Sequence, residues 1–297
     1  MPEATAPRPY SWLPVLIGVL TVVMLAIGTL AFRYVETRMV ATAGETLAQT
    51  AAEVSDKLDR FLVERHGDVL MMAKTFSVQS NNQEFQSAYI AGVRAAYPDY
   101  LWIGATDERG KIVVATDPDT VGRDYSAEPW FQAVRKGQGV HMGDVEPFAV
   151  MGGPDAIAVT APITGPRGEF LGVVTTRVGI PGLEDVMTRT LLAFRQREGF
   201  WGALEYQFLT EKGIAFIDSD LDHKGNVNLK HLRLPSVLLS EQSLFGYVEE
   251  EHKRRHVPVI TGYARTLGHG GSVESLHWTV LMRMDRRDVL APIREVL

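Results

Sequence analysis

Residues 106–122 read TDERGKIVVATDPDTVG, and residues 210–225 read TEKGIAFIDSDLDHKG. Both stretches run through an acidic turn, a glycine, a short apolar strand and an Asp-rich loop that closes on glycine. Gly110 to Gly122 and Gly213 to Gly225 share an offset of twelve. What repeats is a sheet-building unit, not a solenoid period of roughly 20–50 residues, so the chain is expected to hold two tandem domains of one type.

Reading outward, residues 101–106 and 111–116 alternate as strands around the turn Asp107 to Gly110, and residues 156–164 and 170–178 do the same around Gly165 to Gly168. Two hairpins make an antiparallel sheet. Between them, from Glu128 to Lys136, Trp130, Phe131 and Val134 fall at helical spacing, as in a short helix lying on that sheet. The second unit closes with the strand Trp278 to Met284. Asp285 and Asp288 then sit at the N-cap and N3 positions of a last helix, which turns Val289, Ile293 and Val296 to one side.

The chain has 297 residues, 45% hydrophobic and 22% charged, an ordinary globular composition that excludes disordered or collagen-like classes. Two modules of about 100–150 residues are the natural division. The net charge of -6 argues against nucleic-acid binding, which needs clustered Lys and Arg. Zero cysteines remove disulfide scaffolds, Cys-ligated zinc, iron–sulfur clusters and cysteine nucleophiles.

From Pro9 to Phe32 no residue is charged, and Arg8 and Arg33 bound the run. That is long enough for a membrane span and longer than the apolar region of a cleavable signal peptide. Lys and Arg counts at the two ends do not fix the orientation; the short N-terminal tail favours a cytoplasmic stub and an exported body. After the span, Leu47, Ala51, Val54, Leu58 and Phe61 line one side of a helix. Continued from Arg33 to about Thr75, it makes a stalk of roughly 60 Å. Its apolar line is expected to pack on its own domains, and its heptad-like spacing allows a homodimer through the stalk.

Other signals are set aside. His252 and His256 share helical spacing, but Lys253, Arg254 and Arg255 between them oppose a divalent cation, so a solvated loop and no metal is expected. Asp218, Asp220 and Asp222 imitate a calcium loop that fails at His223 and Leu229, which leaves a solvated turn. Glu249, Glu250 and Glu251 read as an exposed charge run. No nucleophile elbow or phosphate loop is present, so no enzyme activity and no cofactor is expected of this chain.

The span, the long helix and the two sheet units in this order resemble the double Cache extracellular sensor domains of bacterial transmembrane receptors. The strings that carry the likeness are DYSAEPWFQAV (124–134), GPRGEFLGVVTTRV (165–178) and the closing GYARTLG and HWTVLMRMDRRDVLAPI (277–293). The resemblance implies an α+β fold with two tandem PAS-like modules. The boundaries expected are a stub at 1–8, a transmembrane helix at 9–32, a stalk at 33–75, a membrane-distal module at 76–183, a membrane-proximal module at 184–285, and at 286–297 a helix leading toward a second span. It also implies an inner-membrane receptor with a periplasmic body and a cytoplasmic output, such as a histidine kinase, chemotaxis or cyclase domain, outside this sequence.

In Cache modules that bind amino acids, an arginine two residues before the tryptophan of the short helix holds the ligand carboxylate, and an aspartate on the last strand holds the amino group. Here Glu128 stands before Trp130, and Arg177 stands on the closing strand, so both charges are reversed. Two readings follow. Arg177 grips an anion and Glu128 a cationic or donor-rich group, with Trp130 and Phe131 as walls and with Phe131 and Phe148 in place of the tyrosines such a pocket often uses; or Glu128 and Arg177 pair with each other. Tyr125, Asp144 and Arg123 are further candidates for the rim. The function expected is sensing of a small polar, carboxylate-bearing ligand; the alternative is a periplasmic module that recognises a partner protein.

Overall fold

The computed structural model describes residues 12–78, 82–148, 153, 155–184, 204–219, 227–268 and 276–294. One helix, α1, runs unbroken from Leu13 to Val78, about 100 Å at 1.5 Å per residue. Its N-terminal part, through Val35, is exposed, and this is a helix long and apolar enough to cross a membrane. From Val40 onward the same helix is half sunk in the fold. Leu47, Ala51, Val54 and Leu58 are fully buried, as their spacing predicts, but the next member of the line is Leu62; Phe61 is only partly buried. A straight 3.6-residue period drifts along the stripe, which moves the buried position on by one residue.

The first sheet holds β1 (Tyr100–Thr106), β2 (Ile112–Ala115), β3 (His141–Pro147), β4 (Asp155–Thr164) and β5 (Phe170–Gly179), in the order β2-β1-β5-β4-β3. Both predicted hairpins form, and β1 and β5 pair to join them. In this module α2 (Gln83–Ala96) and β3 escape the sequence reading. Between Glu128 and Lys136 lies α3 (Pro129–Arg135), packed on the sheet face opposite α1.

The second sheet holds β6 (Glu205–Leu209), β7 (Ala215–Asp218), β8 (Phe245–Glu251), β9 (Pro258–Arg265) and β10 (Thr279–Asp285), in the order β7-β6-β10-β9-β8. Strand for strand this is the first order again, and the short helix α4 (Pro235–Ser240) takes the place of α3. The repeat is therefore a repeat of structure. Gly110 and Gly213, with φ of 91° and 83°, make the same left-handed turn that a side chain would strain. The register slips at the same place in each hairpin, before Thr106 and before Leu209. The closing glycine of the second stretch, Gly225, and with it Asp220 and Asp222, lies outside the described residues.

α1 lies across both sheets and is fixed to each by polar contacts. Buried Asp59 accepts from the amides of Leu267 (2.9 Å) and Gly268 (3.0 Å), and Tyr100 donates to Asp68 at 2.7 Å. Several sequence expectations are corrected here. Glu250 is not part of an exposed run: its carboxylate is buried and accepts from the Ser236 amide (3.0 Å) and hydroxyl (2.9 Å). Nor is Asp218 solvated: it is 1% exposed and accepts from Gln207 at 2.6 Å. His252 is likewise buried, 3.0 Å from Glu205, while His256 stays exposed beside Glu251. These charges go inside because the second module turns them toward one another instead of toward water. Asp285 stands at the N-cap but does not cap; its carboxylate takes both ends of the Arg255 guanidinium, at 2.7 and 2.8 Å. The last helix is two short turns, Arg286–Val289 and Ala291–Arg294, with Val289 and Ile293 against the core; Val296 lies outside the described residues.

Candidate functional site

The face of the first sheet that carries α3 also bounds a cavity of about 740 Å³, within the range of small-molecule sites. Its floor is Arg177. In the ladder Arg177 stands opposite Trp102 on β1 and Ala158 on β4, so its side chain rises on the α3 side of the sheet. Nη1 donates to Thr175 Oγ1 (2.8 Å) and to the Thr176 carbonyl (2.9 Å), which anchors one end of the fork. The rings of Trp130, Phe148 and Trp102 lie 5.3, 5.4 and 5.8 Å from the guanidinium carbon. Cation–π contact of this kind holds a charge without neutralising it.

Burial pulls the Arg177 pKa down to about 10, while Tyr125, Glu128 and Glu146 pull it back up. It stays a cation at neutral pH. Among the described residues no carboxylate comes within ion-pair distance of it, so Glu128 and Arg177 make no contact ion pair. Glu128 is exposed at the N-cap of α3 and acts on Arg177 only through space.

Of the residues singled out in the sequence, Tyr125, Glu128, Trp130, Asp144, Phe148 and Arg177 all line this one cavity. Phe131 does not. It is fully buried beneath α3 with Val134 and Val173, edge-on to Trp130 (6.3 Å) and Phe170 (6.1 Å), and so supports the wall from behind. Arg123 is also absent from the lining; its Nε donates to the Asp119 carbonyl at 3.1 Å. Asp144 sits deeper than a rim residue: its Oδ1 accepts from the indole N–H of Trp278, in the second module, at 2.8 Å. Burial raises its pKa against the opposing pull of that hydrogen bond.

Sequence reasoning missed the rest of the wall. His141, Glu146 and Pro147 come from β3, and Glu211, Lys212, Leu276 and His277 come from the second module. Gly143 and Pro147 hide the strand period of β3. The Arg at the floor has a counterpart that was legible. Carrying the repeat along at an offset of 106 sets VTTRV (174–178) on VLMRM (280–284), and the ladders place Arg283 opposite Glu205 as Arg177 stands opposite Trp102.

No family model and no curated protein matches this sequence. Solved structures do. An extracellular ligand-binding receptor from Desulfohalobium retbaense superposes with a TM-score of 0.60 at 15% identity, over 80% of this chain and 39% of that one; this chain spans well under half of that receptor's length. The ligand-binding domain of the Pseudomonas fluorescens chemoreceptor CtaA, solved with L-alanine, gives 0.57 at 17% identity over 82% of this chain and 97% of that one. The periplasmic sensory domain of a Campylobacter jejuni chemoreceptor gives 0.61 at 12% identity, over 86% and 99%. At such identities the likeness is one of fold, and the fold of this chain is that of the tandem Cache modules of bacterial sensor domains.

Proposed function

We propose that this chain is the extracytoplasmic ligand-sensing region of a bacterial transmembrane receptor, anchored in the inner membrane through the N-terminal part of α1, and that its first module binds a small molecule bearing a carboxylate. The observation that carries this reading is Arg177: a buried guanidinium on the floor of a cavity, walled by aromatic rings and, among the described residues, left without an ion-pair partner. A planar oxyanion matches the unused edge of that fork. The lining adds a second constraint. Glu128, Asp144, Glu146 and Glu211 are four carboxylates against two permanent cations, Arg177 and Lys212. Such a cavity prefers a ligand that carries an ammonium or other donor-rich group toward Glu128 and Glu146, besides the carboxylate at Arg177. The solved relatives support a sensing role, and the swap of Glu128 and Arg177 relative to the amino-acid pattern has the ligand enter with its charged groups exchanged. Pairing of α1 with a second copy would give the receptor dimer.

The test is a thermal-shift panel on the full chain in detergent micelles, with zwitterionic and cationic carboxylates (L-alanine, γ-aminobutyrate, L-lysine) beside plain carboxylates and amines. At least one zwitterion should raise Tm. Arg177→Ala should weaken it at least about tenfold, the worth of one charge-assisted hydrogen bond. Stabilisation by amines alone, unaffected by Arg177→Ala, would sink the reading.

A further inference from the structure

We propose that the ligand site is shared between the modules: the second module supplies Glu211 and Lys212 as specificity-determining residues for the far end of a ligand whose carboxylate rests on Arg177. This inference rests on the sensing reading above. Its ground is the makeup of one cavity. Arg177, Glu128 and Glu146 belong to the first module, while Glu211 and Lys212 lie on the β6–β7 turn and His277 on the approach to β10. Lys212 makes no ion pair among the described residues, and its charge and that of Glu211 are both felt by Asp144 on the opposite wall. The two walls are joined by the bond from the Trp278 indole to Asp144.

A shared site gives binding a mechanical consequence. Trp278 is fully buried in the second module and leads directly into β10, a strand of seven residues, about 23 Å long at 3.3 Å per residue. At its far end Asp285 holds Arg255, and Arg286 pairs with Glu36 of α1 at 2.8 Å, four residues beyond Phe32, where the apolar run ends. A ligand drawn between Arg177 and the β6–β7 turn therefore sets the position of β10 against the first module, and β10 bears on α1 close to the membrane. Binding acts on the fold only through such a difference between bound and free arrangements.

The experiment uses the full chain in micelles with 5-fluorotryptophan in place of its tryptophans, the Trp278 signal being assigned by Trp278→Phe. L-lysine and L-glutamate are the probes, since they share the carboxylate end and differ in the charge of the far end. Both should move the Trp278 signal together with those of Trp102 and Trp130. Lys212→Glu should shift the ratio of the two affinities about tenfold toward lysine, and Glu211→Lys about tenfold toward glutamate. If the probes move Trp102 and Trp130 alone and the ratio stays within twofold in both variants, the site belongs to the first module only and the inference is overturned. If no tryptophan signal responds to either probe, the shared site falls, and the sensing reading falls with it only where the thermal-shift panel is also without effect.

Discussion

Arg177 and Arg283 occupy the same place in the two sheets, yet the first lies on the floor of a cavity of about 740 Å³ and the second borders one of about 30 Å³. The residues around them explain the difference. Opposite Arg177 stands Trp102; opposite Arg283 stands Glu205. On the edge strand Glu146 and Glu250 also correspond, paired with Ala156 and Val259, but Glu146 is exposed while Glu250 turns inward onto Ser236. Burial lowers the pKa of Arg283 and the nearby charges of Glu250, Glu205 and Asp218 oppose that shift through space, while its Nη2 is buried without a hydrogen-bond partner among the described residues. The first module sets aromatic faces around its arginine instead. One fold thus gives a closed core around the arginine in one copy and an open pocket above it in the other.

The approach of α1 differs between the copies as well, and there a single change has the largest expected effect. Gly262 of β9 stands where the first module has Val159. A Cβ at Gly262 would lie 2.3 Å from the carbonyl carbon of Leu47 and 2.4 Å from the amide of Ala48. This is helix backbone, which cannot rotate away. Gly262→Val, which makes the second module like the first, should cost about 3 kcal/mol or more in urea denaturation. If it is tolerated within about 1 kcal/mol, the close seating of α1 on the second sheet is wrong, and that half of the asymmetry disappears. Next comes the pair of edge-strand acids. Glu250→Ala leaves the Ser236 amide and hydroxyl without their acceptor and removes an opposing charge from Arg283, for a loss of about 2–3 kcal/mol. Glu146→Ala, at the equivalent but exposed position, should stay within about 0.5 kcal/mol. Equal effects would mean that the two modules hold their arginines alike.

Much of this was legible in the sequence, and the limits have physical causes. The hairpins, α3 and the stalk show because each buries one face, and a one-sided burial leaves a period. The repeat of turn glycines predicted two modules of one type, since Gly110 and Gly213 meet the same left-handed requirement. β3 stayed hidden because its alternation is broken by Gly143 and Pro147. His252, Asp218 and Glu250 were misread as solvated because composition shows that charges are present but not that they satisfy one another across four strands. For the site, Arg177 and Trp130 could be found from their elements. Lys212 and His277 could not, since they reach the cavity only through the packing of one module on the other.

Asp144 marks where that packing occurs, and it carries the smallest expected effect. Its carboxylate is held between burial, which raises its pKa above the ordinary value of 3.8, and the N–H groups of Trp278 and Val145, which lower it; nearby Lys212 lowers it further and Glu211 raises it. Burial wins. The folded chain therefore binds this proton more tightly than the unfolded chain, and the linkage runs opposite to that of a salt-bridged aspartate. Its contribution is most favourable below the ordinary aspartate value and declines as pH rises through the raised one, so that the full desolvation cost is borne at neutral pH. Asn at this position keeps an oxygen to accept from the Trp278 indole and has no charge to desolvate. The difference in Tm between Asp144→Asn and the unchanged chain should accordingly be more positive at pH 7 than at pH 3, and the change should fall between those limits as the carboxylate ionises. Parallel Tm curves over that range would mean that water reaches Asp144 freely, and that the wall between the two modules is more open than the Trp278 contact makes it.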